Sequence, residues 1–140
     1  MRHRTCARAA DEEGIVTASY SMEGFSLTLN DGIIELYTDG ERGRGSEEAP
    51  ARAFSTLTSR IDSRLILNDV RSAVFSLSSF EWEERMRFIA RVQRGYQTAY
   101  VVRPDQVKGV EKFVEAHERL GDTAAWFTSK AAARAWLKGE

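Results

Sequence analysis

The chain has 140 residues, the length of one ordinary domain, and its 42% hydrophobic and 29% charged residues mark a globular rather than a disordered polypeptide. A formal net charge of -1 leaves no electrostatic footprint for nucleic acid or an anionic membrane, and no apolar run reaches bilayer-spanning length. The single cysteine, Cys6, excludes an internal disulfide and a cysteine-built zinc site, which suits a reducing cytoplasm.

Residues 1–21 alternate Arg, Ala and small polar residues without a period. Arg2, Arg4 and Arg8 have no apolar stretch behind them, so they do not read as a secretory signal. The segment is expected to be a disordered extension, with Met22 opening the domain of residues 22–140 and serving as a candidate true start. Phe25, Leu27 and Leu29 then alternate with polar residues, the period of a half-buried strand. Asn30-Asp31-Gly32 supplies residues that tolerate positive φ, and Ile33 to Thr38 returns as the second arm of a hairpin.

A Gly-rich charged loop, residues 39–48, leads into a helix whose apolar stripe is Ala53, Phe54, Leu57 and Ile61. Leu65 to Leu67 is a short continuous apolar run, the pattern of a strand inside a sheet. A connection over Val70 to Leu77 precedes a long helix, where Ser78 and Glu81 have capping-box spacing and Trp82, Met86, Ile89 and Val92 share a face. Gln97 to Val102 is the next strand. Val107 to Leu120 is a helix closed by Gly121, Ala124 to Phe127 is the last strand, and Thr128 or Ser129 caps a final helix. The order β-β-α-β-α-β-α-β-α predicts a single-domain α/β fold, a mixed sheet with an antiparallel edge hairpin and packed helices.

Several residues are candidates for function. Asp69 is expected near the carboxyl end of an inner strand, where open α/β sheets place ligands; the alternative is an Asp that orders local backbone N–H groups. Ser76, Ser78 and Ser79 lie at the following strand–helix junction, and helix capping alone accounts for Ser78. In the 39–48 loop, Arg42 and Arg44 among three glycines could wrap an anion, but Glu47 and Glu48 already use the helix N-terminus, so a solvated loop is the preferred reading. Arg87, Arg91 and Arg94 share one helix face, either a solvated surface or a docking face for an acidic partner or a lipid headgroup. His117 falls among apolar residues at helical spacing and reads as a packed, hydrogen-bonded histidine; the three tryptophans read as core anchors.

The order and spacing of elements over about residues 22–140 resembles the SpoIIAA-like branch of the STAS superfamily, the fold of the anti-sigma-factor antagonists. Two stretches carry the resemblance. AAWFTSKAAARAWL (Ala124 to Leu137) is similar to the family's closing strand, capped turn and helix. LILNDVRSAVFSLSSFEW (Leu65 to Trp82) is similar to its strand, acid and serine-bearing turn. Asp69 matches the acid, and Ser78 and Ser79 fall where a phosphorylatable serine is expected. Leu77 stands where the motif has a second Asp, and Phe80 where it has Gly. The resemblance implies a non-catalytic regulatory or binding module with a reversible protein partner or a ligand at the Asp69 to Ser79 junction, and no cofactor or metal is expected. A related branch implies instead an apolar small-molecule or lipid carrier, with a cavity between the sheet and the helices that start near Ser78 and Val107. An enzyme ranks last, because the serines have no well-placed histidine as base.

Overall fold

The structure, a computed structural model, describes residues 19–140. In chain order these form β1 (Ser19–Met22), β2 (Phe25–Asn30), β3 (Ile33–Arg42), α1 (Glu48–Thr58), β4 (Leu65–Phe75), α2 (Ser79–Val92), β5 (Gln97–Val101), a 3-10 turn (Pro104–Gln106), α3 (Val107–Arg119), β6 (Ala124–Phe127) and α4 (Lys130–Lys138). The strands build one sheet in sequential order, antiparallel from β1 to β3 and parallel from β3 to β6. The expected hairpin is present, with Asp31 and Gly32 both at positive φ, 55° and 78°, as a two-residue primed turn requires.

Each crossover from β3 to β6 steps to the next strand in the same direction. The right-handed rule then places α1, α2 and α3 on one face of the sheet. Alternation along the strands confirms two faces. Ile34, Leu36 and Ile66 pack with Phe54 of α1, and Tyr100 packs with Met86 and Ala90 of α2 and with Phe113 of α3. The intervening Ile33, Leu67, Ala99 and Val101 pack against Ala133 and Leu137 of α4 on the opposite face. Glu35 ties α4 down through Lys130 (3.2 Å) and Arg134.

Three features differ from the sequence reading. First, β1 pairs with β2 and supplies an additional edge strand, which includes Ser19 to Ser21 ahead of Met22. Tyr20 and Met22 pack against the cluster around Phe25 and Leu27, which gives this short segment an apolar reason to join the sheet. Residues 1–18, the rest of the proposed extension, lie outside the described residues. Second, β3 runs on to Arg42 and β4 to Phe75, where a loop and a connection were expected. These two extensions pair with each other, Asp39 through Arg42 against Ser72 through Phe75. Their polar and glycine content hides the strand period, and backbone pairing holds them. Third, β4 carries one extra residue between Asp69 and Ser72: Tyr37 lies opposite Asp69, but Asp39 lies opposite Ser72.

Trp82 anchors α2 to α3. Its ring sits edge-on to Phe75 and Phe113, with centroids 5.2 and 5.1 Å away. Gly109 of α3 lies beneath it, where an added Cβ would fall 2.8 Å from Trp82 Cζ2. With aromatic rings on both sides, the indole has little room to retreat. Gly109→Ala gains about 1 kcal/mol of helix propensity but overpacks this contact by more. A net loss of about 1–2 kcal/mol is expected in urea unfolding, and an unchanged or raised midpoint contradicts the tight contact.

Candidate functional site

The structure separates the residues that the sequence placed at one junction. Asp69 is the fifth residue of the eleven in β4, not its end, and it is buried. Six residues of strand put Phe75 about 20 Å beyond it. Its carboxylate accepts the Arg71 backbone N–H at 3.2 Å and a two-pronged bond from the Arg71 guanidinium at 3.0 and 2.9 Å. Asp69 thus serves the extra residue of β4, supplying an acceptor where the ladder slips. β4 also outruns β5, and side chains from the 3-10 turn region complete its far half. Gln106 Nε2 donates to the Val70 carbonyl at 2.9 Å, and Arg103 Nη1 donates to the Arg71 and Ala73 carbonyls.

The serines sit at the other end. Ser76 is exposed, and its backbone N–H donates to the Arg42 carbonyl at 3.0 Å. Ser78 is the N-cap of α2: Glu81 N–H donates to Ser78 Oγ at 3.2 Å, and Ser78 N–H donates to Glu81 Oε1 at 2.9 Å. Ser79 is the first helical residue and is exposed. Ser78→Ala should therefore lower stability by about 1 kcal/mol, while Ser78→Asp, another good cap, should hold most of it. Equal midpoints for all three proteins in chemical denaturation contradict the capping role.

Arg87, Arg91 and Arg94 are exposed along α2 and beyond it. Arg87 meets Glu83 at 3.2 Å within the helix, and Arg94 meets Asp122 at 3.7 Å. The Arg87–Glu83 pair, exposed on both sides, holds little energy. His117 is fully buried and shares a 2.7 Å hydrogen bond through Nε2 with the Tyr100 hydroxyl. Burial lowers its pKa to about 4, against a smaller opposing pull from Asp122. Among the described residues no group of three His, Cys, Asp or Glu side chains could hold a metal ion, and no helix is long and apolar enough to cross a membrane.

The polar constellation that the fold does assemble lies elsewhere, between the sheet and helices α1 and α2. An apolar cavity of about 70 Å³ is walled by Phe25, Leu36, Phe54, Ile89 and Phe113 among others. Two arginines line it, Arg42 and Arg85, only 9% and 8% exposed. Both reach the short segment before α1. Arg42 Nη2 donates to the Ser46 carbonyl at 3.0 Å. Arg85 Nη1 donates to Ser46 Oγ at 3.0 Å and to Glu47 Oε1 at 3.1 Å. Gly24, at φ +79°, makes room for the Arg42 guanidinium, because a Cβ there would collide with its Nη1. Arg42 Nε is buried with no hydrogen-bond partner among the described residues.

The chemistry of this cluster is an excess of buried positive charge. Burial lowers Arg85 to about 10; Glu47 opposes that shift, and the neighbouring Arg42 charge adds to it. The Arg85 guanidinium also lies over the Phe75 ring at 5.0 Å, a contact that favours the charged form. Beside the cluster, Asn68 Nδ2 donates to Gln93 Oε1 at 3.2 Å across the same cavity wall. From the sequence, Arg42 is a candidate anion ligand together with Arg44 in a loop whose preferred reading is a solvated one, and Arg85 is not singled out. Arg85 lies three residues after Trp82 and one before Met86, which sets it on the helix's inner face. That spacing was the available signal.

No family model matches the sequence, and no curated protein matches it. Among solved structures the chain is similar to an uncharacterized protein of the DUF3478 family with a SpoIIAA-like fold from Shewanella loihica PV-4. The two share 11% sequence identity over 98% of this chain and 96% of that one, with a TM-score of 0.56. The class that the strand order and helices define is a mixed α/β single-sheet domain. Within that class the chain has a SpoIIAA-like fold.

Proposed function

We propose that the chain is a non-catalytic binding module of the SpoIIAA-like type, working in the cytoplasm, and that its ligand site is the cavity between the sheet, α1 and α2. One observation carries this reading: two buried guanidiniums lie at the wall of a mostly apolar cavity whose lining holds a single carboxylate, Glu47, bonded to Arg85. Burying an unbalanced charge destabilises a fold unless something compensates it, and a ligand is the natural compensation. Among the described residues, the placement of the one histidine supports the non-catalytic part. His117 is fully buried with its Nε2 bonded to Tyr100, whereas Ser76, Ser78 and Ser79 lie on the exposed surface, so it is not placed to activate them.

Size favours a small ligand over a lipid carrier. Pockets for drug-sized molecules run to about 300–1,000 Å³, well above the 70 Å³ here. Phosphorylation at Ser78 has less support, since the hydroxyl oxygen already accepts the Glu81 N–H. A nuclear magnetic resonance screen of small soluble fragments against the 15N-labelled chain tests the reading. Shifts clustered at Phe54, Ile89 and Gln93 are expected. Shifts confined to the Ser76–Ser79 surface, or to the Arg87–Arg94 face, would count against the cavity.

A further inference from the structure

We infer that the cavity binds a short apolar monocarboxylate, with its carboxylate between Arg42 and Arg85 and its hydrocarbon body against Phe54 and Ile89. This rests on the cavity being the ligand site and goes further by naming the ligand's chemistry.

Charge selects the class. Arg42 and Arg85 bring two positive charges to the cavity and Glu47 one negative, so the cluster is left one positive charge in excess. One monoanion brings it to neutrality. A phosphate monoester carries about -1.5 to -2 near neutral pH and would leave negative charge beside Glu47 in a largely apolar chamber. A neutral ligand leaves the excess uncompensated. Geometry agrees with the charge. The buried, unpartnered Arg42 Nε is a donor in need of an acceptor, and a guanidinium meets a carboxylate edge-on through paired N–H groups.

The walls select the rest of the molecule. Most of the wall is apolar, Phe25, Leu36, Phe54 and Ile89 among it, and its Asn68 and Gln93 side chains are bonded to each other, so hydroxyl or amino substituents against the apolar wall would be buried unpaired. The volume, about 70 Å³, is roughly half of the ~150 Å³ apolar cavity that takes benzene. That limits the body to about three to five carbons without movement of the walls. A wider groove on the outer surface between α1 and α2 shares Ala51 and Val92 with the cavity wall.

Titration of the full 15N-labelled chain with sodium butyrate is the test, with butan-1-ol, butylamine and inorganic phosphate as separate probes. Butyrate is expected to shift the Arg42 and Arg85 Nε–Hε resonances saturably, together with backbone signals at Phe54 and Ile89. Arg85→Met and Arg42→Gln should each weaken butyrate by about tenfold, the loss of one charge-assisted bond. The ranking of the four probes on the wild-type chain tests the inference without either variant. If butan-1-ol binds the cavity as tightly as butyrate, or phosphate binds it more tightly, the monocarboxylate inference fails while the cavity remains the ligand site. If no probe moves a cavity resonance, both fail.

Discussion

Glu47→Ala lowers the stability of the fold by about 3 kcal/mol, whereas Arg85→Met leaves it unchanged or raises it. The asymmetry follows from the charge count. Glu47 is the carboxylate that Arg85 bonds at 3.1 Å, with side chains 18% and 9% exposed respectively. Without it, Arg42 and Arg85 line a cavity with no counter-charge, and the Arg42 charge disfavours the ionised form of Arg85. Breaking a buried pair from one side in this way typically costs about 3–5 kcal/mol; the partial exposure of Glu47 argues for the lower end. Methionine at position 85 fills similar volume, removes the desolvated charge and leaves Glu47 able to reach water. The double variant should recover most of the Glu47→Ala loss. Urea unfolding of the three proteins checks this. Equal losses for both single variants would mean that the cluster is an ordinary balanced ion pair.

Acidification from pH 7 to pH 4 costs the fold about 3 kcal/mol through His117 alone. The folded histidine titrates near 4, since burial disfavours its charged form. In the unfolded chain it titrates near its ordinary value, about 6.5. Between these values the unfolded state binds the proton and the folded state does not. Stability from this group is therefore complete above about pH 6.5 and falls as the pH drops towards 4. The contact concerned is central. His117 bonds Tyr100 at 2.7 Å on the inner strand β5, with the ring of Phe113 packed on Tyr100 at 5.7 Å. His117→Gln keeps a polar group near Tyr100 but cannot titrate. The difference between wild type and His117→Gln in urea unfolding, at pH 7, 6, 5 and 4, removes the common contribution of the carboxylates. It should shrink by about 3 kcal/mol across the range; a constant difference would show that His117 charges as readily inside the fold as outside.

Most of the fold was legible because local signals and burial agree. The Asp31-Gly32 turn, the Ser78–Glu81 box, Gly121 and the Val110–Phe113 stripe each dictate an element and its face. The choice left open between Thr128 and Ser129 falls on Ser129, whose hydroxyl accepts the Ala132 N–H at 3.2 Å. The missed parts are those where long-range pairing outweighs pattern. Asp39 to Arg42 and Ser72 to Phe75 form strands because each supplies the other's ladder, and neither stretch alternates cleanly. Asp69 looked like a strand-end acid because the strand was read as ending at Leu67. Its partner, Arg71, was in plain view two residues on. Arg42 and Arg85 lie 43 positions apart, and only the β3–β4 pairing and the crossover through α2 bring both to the Ser46–Glu47 segment. Composition and helical spacing contain no record of that meeting.

The measurement that bears most directly on the cavity as the ligand site is a crystal structure of the chain soaked with 3-bromopropionate, with the bromine located by its anomalous scattering. The account predicts one strong bromine peak inside the chamber against Phe54 and Ile89, with the carboxylate on Arg42 and Arg85. A chamber with no peak, or a peak only beside Asp69 or on the Ser76–Ser79 surface, would contradict it.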